Sequence, residues 1–228
     1  MAVFIVFLSI SSKGIAQVSY ATVKDIDGNE YKTVKIGTQV WMTENLKTTK
    51  YNNGTLIPNV TDTQWKNLTT AEYCWHKNDA VAYKNPYGAL YNWYVVETSK
   101  LCPKGWHVSS DKEWTTLMDY LGGYDVAGGK VKDADTTYWR SPNKGATNES
   151  GFSALPGGWC EDGEFGYLRG AGWCWTSTYE PGPALIQLKK DEQAGPWMRV
   201  IFDSQISIKN NNSFHKGFGI SVRCLKDN

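Results

Sequence analysis

Apolar positions keep several rhythms along the chain. Residues 3–10 form a run broken only by Ser9. From residue 20 to 45 short alternating segments take over. Val34 and Ile36 flank Lys35, and Val40-Trp41-Met42 follows a Gly37-Thr38 turn. Val23 and Ile26 supply the apolar residues of a first strand, although their spacing of three is not strand alternation. Asp27-Gly28 directly after Ile26 is a strong hairpin signal. This stretch therefore reads as antiparallel strands. Residues 51–78 shift to Asn, Thr and Gly and read as surface loops, with short strands around Tyr73-Cys74-Trp75.

Two helices are expected next. Asn85-Pro86 offers an N-cap followed by proline at the first helical position, with Leu90, Trp93 and Tyr94 on one face. In the second, Ser110 and Glu113 have capping-box spacing. Trp114, Leu117, Met118 and Leu121 then recur at i, i+3, i+4 and i+7, and Gly122-Gly123 stops the pattern. Beyond about residue 125 glycines punctuate short aromatic segments. Residues 200–202, 206–208 and 218–225 read as strands, with Ile220 and Val222 alternating with Ser221 and Arg223. Strands, two helices and further irregular strands, with no linker or internal repeat, predict one α+β domain.

Composition narrows the function classes. A net charge of +1 over 228 residues, with 21% charged, argues against nucleic acid held on a basic face. No apolar run reaches the roughly 18 residues of a membrane-spanning helix. Residues 3–10, followed by small residues through Gly14 and Ala16, resemble a secretory signal peptide. The expectation is a signal peptide over residues 1–16 and a domain over 17–228, secreted, periplasmic or at the cell surface. The five cysteines contain no Cys-x-x-Cys pair, so zinc-knuckle and thioredoxin-type motifs are lacking. A bridge between Cys102 and Cys224 would close a long loop and stabilise the fold by roughly 2–4 kcal/mol. Cys160 and Cys174 flank a Gly-rich segment that reads as a hairpin, which makes a second bridge a candidate. Cys74 is then left over, a small buried apolar residue.

Several ordered blocks carry a family resemblance. They include residues 31–46, Tyr87-Gly-Ala-Leu-Tyr-Asn-Trp93, Leu101-Cys-Pro-Lys-Gly-Trp-His-Val108, residues 151–158, Trp175-Thr-Ser-Thr178 and Gly219-Ile-Ser-Val-Arg-Cys224. The chain resembles the Fibrobacter succinogenes major paralogous domain family from about Val23 onward. That resemblance implies an exported bacterial protein whose biochemical role is largely undefined. The family is in turn distantly similar to C-type lectin-like and formylglycine-generating-enzyme-like folds. The implied architecture is two helices beside an irregular, loop-rich mixed or antiparallel sheet. In lectin-like domains a cysteine near the helices pairs with one in the last strand, and Cys102 and Cys224 occupy matching places.

The candidate chemistry is sparse. A calcium site needs clustered oxygen ligands. Glu180-Pro181-Gly182 lacks the third ligand of the lectin motif, and Asp25 to Glu30 is read as a turn. The similarity to formylglycine-generating enzymes implies a closely placed cysteine pair near the chain's end, where only Cys224 lies, and a bridge to Cys102 would leave it no thiolate. His76, His107 and His215 have no ligand spacing, and His107 is read as a structural hydrogen-bonding residue. No metal or cofactor is expected. Trp41, Trp93, Trp106 and Trp114 are read as core. Trp159, Trp173, Trp175 and Trp197, in the Gly-rich half, are the candidate ligand-contact aromatics, weighed against a role in the core. The expected function is a non-catalytic exported module contacting carbohydrate or a cell-envelope protein through loops, over residues 51–80 and 160–215. An enzyme of the formylglycine-generating type and a purely structural surface module are the alternatives.

Overall fold

The computed structural model describes residues 20–66, 68–181 and 195–228. The signal-peptide expectation for residues 1–16 falls outside them. Three strands open the described chain as an antiparallel meander: β1 (Tyr20–Lys24), β2 (Glu30–Ile36) and β3 (Gln39–Met42). The turn between β1 and β2 is built by Asp25, whose Oδ1 accepts the N–H groups of Asp27 and Asn29, each at 2.9 Å. Ile26 belongs to this turn and is exposed, so the first strand ends before it.

The middle of the chain holds α1 (Asp62–Trp65), β4 (Tyr73–Cys74), α2 (Ala80–Tyr87), β5 (Leu90–Tyr91) and α3 (Trp93–Val96). The helix expected from Pro86 through Tyr94 does not form. Pro86 lies in the last turn of α2 instead, and Gly88 ends that helix at φ +75°. A Cβ on Gly88 would sit 2.7 Å from the carbonyl of Leu46, so this crossing requires glycine. Asn92 then caps the short α3 by accepting the N–H of Val95.

The second expected helix is present. After β6 (Trp106–Val108), α4 (Asp111–Tyr120) starts on the reciprocal Ser110–Glu113 capping box. Its apolar stripe of Trp114, Leu117, Met118 and Leu121 is buried. A further helix, α5 (Tyr124–Val131), occupies sequence that reads as loop. Its Gly128-Gly129 pair serves close packing and not a turn. A Cβ on Gly128 would lie 2.5 Å from the carbonyl oxygen of Ser207, and one on Gly129 2.4 Å from that of Gly145.

The second half adds β7 (Trp159–Glu161), β8 (Glu164–Gly166), β9 (Ala171–Glu180), β10 (Gly195–Phe202), β11 (Ile208–Asn211) and β12 (Cys224–Lys226). Two principal antiparallel sheets result, ordered β1-β2-β3-β12-β6 and β11-β10-β9. The class is α+β, as expected. Each sheet buries side chains on both faces. On the five-stranded sheet, Tyr31, Met42, Val108 and Cys224 join one apolar cluster. Val34, Ile36, Trp41 and Leu225 point the other way, onto Trp114, Leu117 and Met118 of α4 and Ala127 and Val131 of α5.

The last segment joins these parts. Gly219 bridges Cys160, Ile220 bridges Tyr91 and Ser221 bridges Cys174. β12 then inserts between β3 and β6. A disulfide of 1.98 Å ties Cys224 of β12 to Cys102, 122 residues earlier, as the long-loop bridge required. Alternation predicted one buried face for residues 220–223, but Ser221 and Arg223 are buried as well as Ile220 and Val222. Arg223 is tolerated because each nitrogen of its fork finds an acceptor. Nε donates to Asn45 Oδ1 at 3.0 Å and Nη2 to the Ser153 carbonyl at 2.7 Å, while Nη1 reaches the carbonyls of Met42 and Phe152. Burial lowers its pKa to about 10, which leaves it a cation at neutral pH.

Cys160 and Cys174 form no bridge, contrary to expectation. The hairpin that contains Cys160 is β7–β8 alone, and Cys174 lies on β9, paired with β10. Residues 219–221 run between them, Gly219 bridging one and Ser221 the other. The two thiols accordingly sit in different apolar clusters.

Two stability predictions follow from this frame. Converting Cys102 and Cys224 to Ser is expected to lower unfolding free energy by about 2–5 kcal/mol in denaturant titration. The Cys160→Ser, Cys174→Ser double variant should leave the response to reductant unchanged. Arg223→Met is expected to cost about 2–4 kcal/mol, because buried acceptors lose their donor. An unchanged denaturation midpoint would contradict that role.

Candidate functional site

Groups with chemical potential are mostly committed to structure. Oδ2 of Asp27 accepts from Thr48 Oγ1, Thr49 N and Thr49 Oγ1, and its Oδ1 pairs with Lys50 at 3.0 Å. Asp25 is saturated by Asp27, Asn29 and the Tyr31 hydroxyl. These carboxylates build a turn, as the sequence suggested. Lys132 is buried and its pKa falls to about 8 through desolvation. Its three N–H groups all go to carbonyls, those of Lys144, Phe202 and Gln205, at 2.7, 3.2 and 2.9 Å. An ammonium so used has no hydrogen left for a substrate.

His107 is the structural residue expected. Its Nε2 meets Glu113 Oε1 at 3.0 Å and its Nδ1 meets Asp227 Oδ1 at 2.6 Å. The bond to Glu113, with that to Asp227, raises its pKa to about 9 against the opposing effect of burial. Burial raises the Glu113 carboxyl, but His107 and the Ser110 donors outweigh it and bring it down to about 2. An imidazolium donating from both nitrogens offers no lone pair to a substrate. It fastens β6, the start of α4 and the tail after β12 to one another.

The four candidate tryptophans separate into core and surface. Trp175 is fully buried, and its Nε1–H donates to the Tyr91 carbonyl at 2.9 Å. Trp197 is half-buried beside the irregularity of β10 between Pro196 and Met198. Trp173 and Trp159 both pack on Phe218, with ring centroids 5.9 and 5.8 Å away. Trp173 lies beneath further rings: Tyr167 at 6.4 Å, Phe202 at 6.1 Å and Phe214 at 5.7 Å. Phe214 stacks on Phe218 at 4.5 Å. Trp159, Phe202 and Phe214 are half-buried, and Tyr167 is 50% exposed. Trp173, 8% exposed, has no acceptor for its Nε1–H among the described residues.

This surface is held from below. Tyr167 has a left-handed φ of 56°, and its carbonyl accepts the N–H groups of Gly170 and Ala171 at 2.8 and 3.0 Å. A non-glycine residue kept in that region by two backbone bonds presents its ring in a fixed direction. Tyr167, Phe202, Phe214 and Phe218 were not singled out from sequence. They come from separate segments, and only the turn glycines around Tyr167 hinted at a special backbone there.

Trp106 also departs from expectation. It is half-buried, and its outer side lines an open groove of about 300 Å³ on the five-stranded sheet, with Lys35 and Lys226. Trp41, Trp93 and Trp114 are core, as expected.

The molecule is thus an α+β domain closed by one long-range disulfide, with an aromatic surface on its irregular half. Residues 34–226 match the family model described as the Fibrobacter succinogenes major domain, and the chain belongs to that family. No curated protein and no solved structure matches it.

The His107 cluster predicts a definite pH response. His107 has a raised pKa, so its contribution is complete below its ordinary 6.5 and is lost as pH climbs through about 9. Glu113 has a lowered pKa, so its contribution is complete above its ordinary 4.5 and is lost as pH falls through about 2. Thermal melts should show a plateau between those ordinary values and a decline on either side. His107→Gln should remove the alkaline decline between pH 6.5 and 9, and an unchanged alkaline limb would contradict the assignment.

Proposed function

We propose that this protein is a non-catalytic exported module of lectin-like design that binds sugar rings at a cell surface through the aromatic surface around Tyr167. One observation carries this reading. Tyr167, half exposed, and the half-buried Trp159, Phe202 and Phe214 converge over Trp173 and Phe218. Flat aromatic faces with few rotatable bonds offer contact area at low entropic cost. Tyr167 and Phe214 of the rim lie outside the strands, on a disulfide-locked frame, the arrangement in which loops most often serve recognition.

Other chemistry has weaker support. Formylglycine-type catalysis through Cys224 would need a thiolate, but that sulfur is in the disulfide. Cys174 is buried and desolvation lifts its pKa to about 11, which keeps it a thiol. His107 is saturated by two carboxylates.

A glycan array read with the intact domain tests the proposal. Neutral glycans should be retained, and Tyr167→Ala should weaken the best of them by about tenfold or more in calorimetry. Tyr167 is exposed, so its removal should leave the melting temperature nearly unchanged. A blank array, with envelope proteins captured only when Tyr167 is present, would move the reading to a protein partner. Binding that ignores Tyr167 would remove the site.

A further inference from the structure

We propose that the open half of the five-stranded sheet is a second binding site, for a sugar ring carrying a carboxylate. The register defines it. Lys35 is paired with Val40 across β2–β3, and Lys226 with Trp106 across β12–β6. The pairing of Leu225 with Trp41 places Lys226 beside Val40 on the same face. One cross-strand row therefore reads Lys35, Val40, Lys226, Trp106. Further along this face Tyr31, Met42, Val108 and Cys224 are covered by core. Over the row itself the face is open, forming a groove of about 300 Å³ bordered by Ala21 of β1.

The charge in the groove has one sign. Lys35 and Lys226 are exposed, and neither is in an ion pair among the described residues. No carboxylate lines the groove. The strands bearing the two lysines are separated by β3 alone, so their backbones lie roughly 10 Å apart. Their side chains can converge on one carboxylate or bracket one ring. Trp106, directly opposite Lys226, offers an indole against which the apolar face of that ring packs.

Size and direction favour a sugar over an acidic peptide. A volume near 300 Å³ is at the lower end of small-molecule sites. The row also crosses the interior strands β3 and β12, whose backbone groups are engaged on both sides. A peptide could not add there as a strand. This site shares no residue with the surface around Tyr167, so each can fail without the other.

Calorimetry at about 50 mM salt, where surface charges are weakly screened, tests the assignment. The probe is a short oligogalacturonate, compared with the neutral galactose oligomer of equal length and with a polyglutamate peptide. The oligogalacturonate should bind and both comparators should not. The Lys35→Gln, Lys226→Gln double variant, which keeps the side-chain stems, should weaken it by about tenfold or more. Tyr167→Ala should leave it unchanged. Absence of oligogalacturonate binding, indifference to the lysine substitutions, or equal binding of polyglutamate would each overturn the proposal.

Discussion

The structure depends on where its last strand goes. Residues 219–226 lie between other parts of the fold, and each contact there reaches a distant part of the chain. Gly219, Ile220 and Ser221 bridge β7, β5 and β9 in turn, and β12 separates β3 from β6. Cys224 adds a covalent tie to residue 102, and Arg223 supplies hydrogens to carbonyls of β3 and of the loop at residues 152–153. The buried guanidinium is in no ion pair among the described residues. It is held by oxygen dipoles and by the Phe152 ring, whose centroid is 4.5 Å away. A cation so placed works as a connector, because its fork must find acceptors in fixed directions. The two large apolar clusters consequently meet along one shared seam.

That seam explains which parts of the molecule are free to carry recognition. The histidine and the lysine that would otherwise attract a catalytic reading are held by fixed partners. His107 is neutralised by two acids, and Lys132 spends all its hydrogens on carbonyls. Two open surfaces stand apart from these groups, the rings over Trp173 and a shallow face of the five-stranded sheet. Both are contact surfaces, and neither brings a nucleophile and a base together.

Local signals in the sequence were read well, and long-range ones unevenly. The Ser110–Glu113 box and the stripe from Trp114 to Leu121 define a helix because all their determinants lie within a dozen residues. The Asp27-Gly28 turn was equally legible. Gly128-Gly129 misled because glycine permits two things, a turn and a close approach, and only tertiary contact tells them apart. Asn85-Pro86 looked like a helix start but lies at a helix end, since Leu46 crosses at Gly88. The Cys160–Cys174 expectation assumed that neighbours in sequence pair directly, whereas a strand from elsewhere comes between them. The aromatic surface was half legible. Trp159 and Trp173 were among the candidates, but Tyr167, Phe202 and Phe214 join them only through folding.

The wedge-like place of residues 219–226 also bears on the order of assembly. This segment follows in the chain everything it separates, so it is synthesised after all of its neighbours. A nascent chain lacking it has no strand to set between β3 and β6, and Cys102 has no bonding partner in β12. Stable tertiary structure must therefore await the arrival of the whole domain. Until then apolar rings that the finished fold covers stay uncovered, which leaves the unfinished chain prone to aggregate and in need of chaperones.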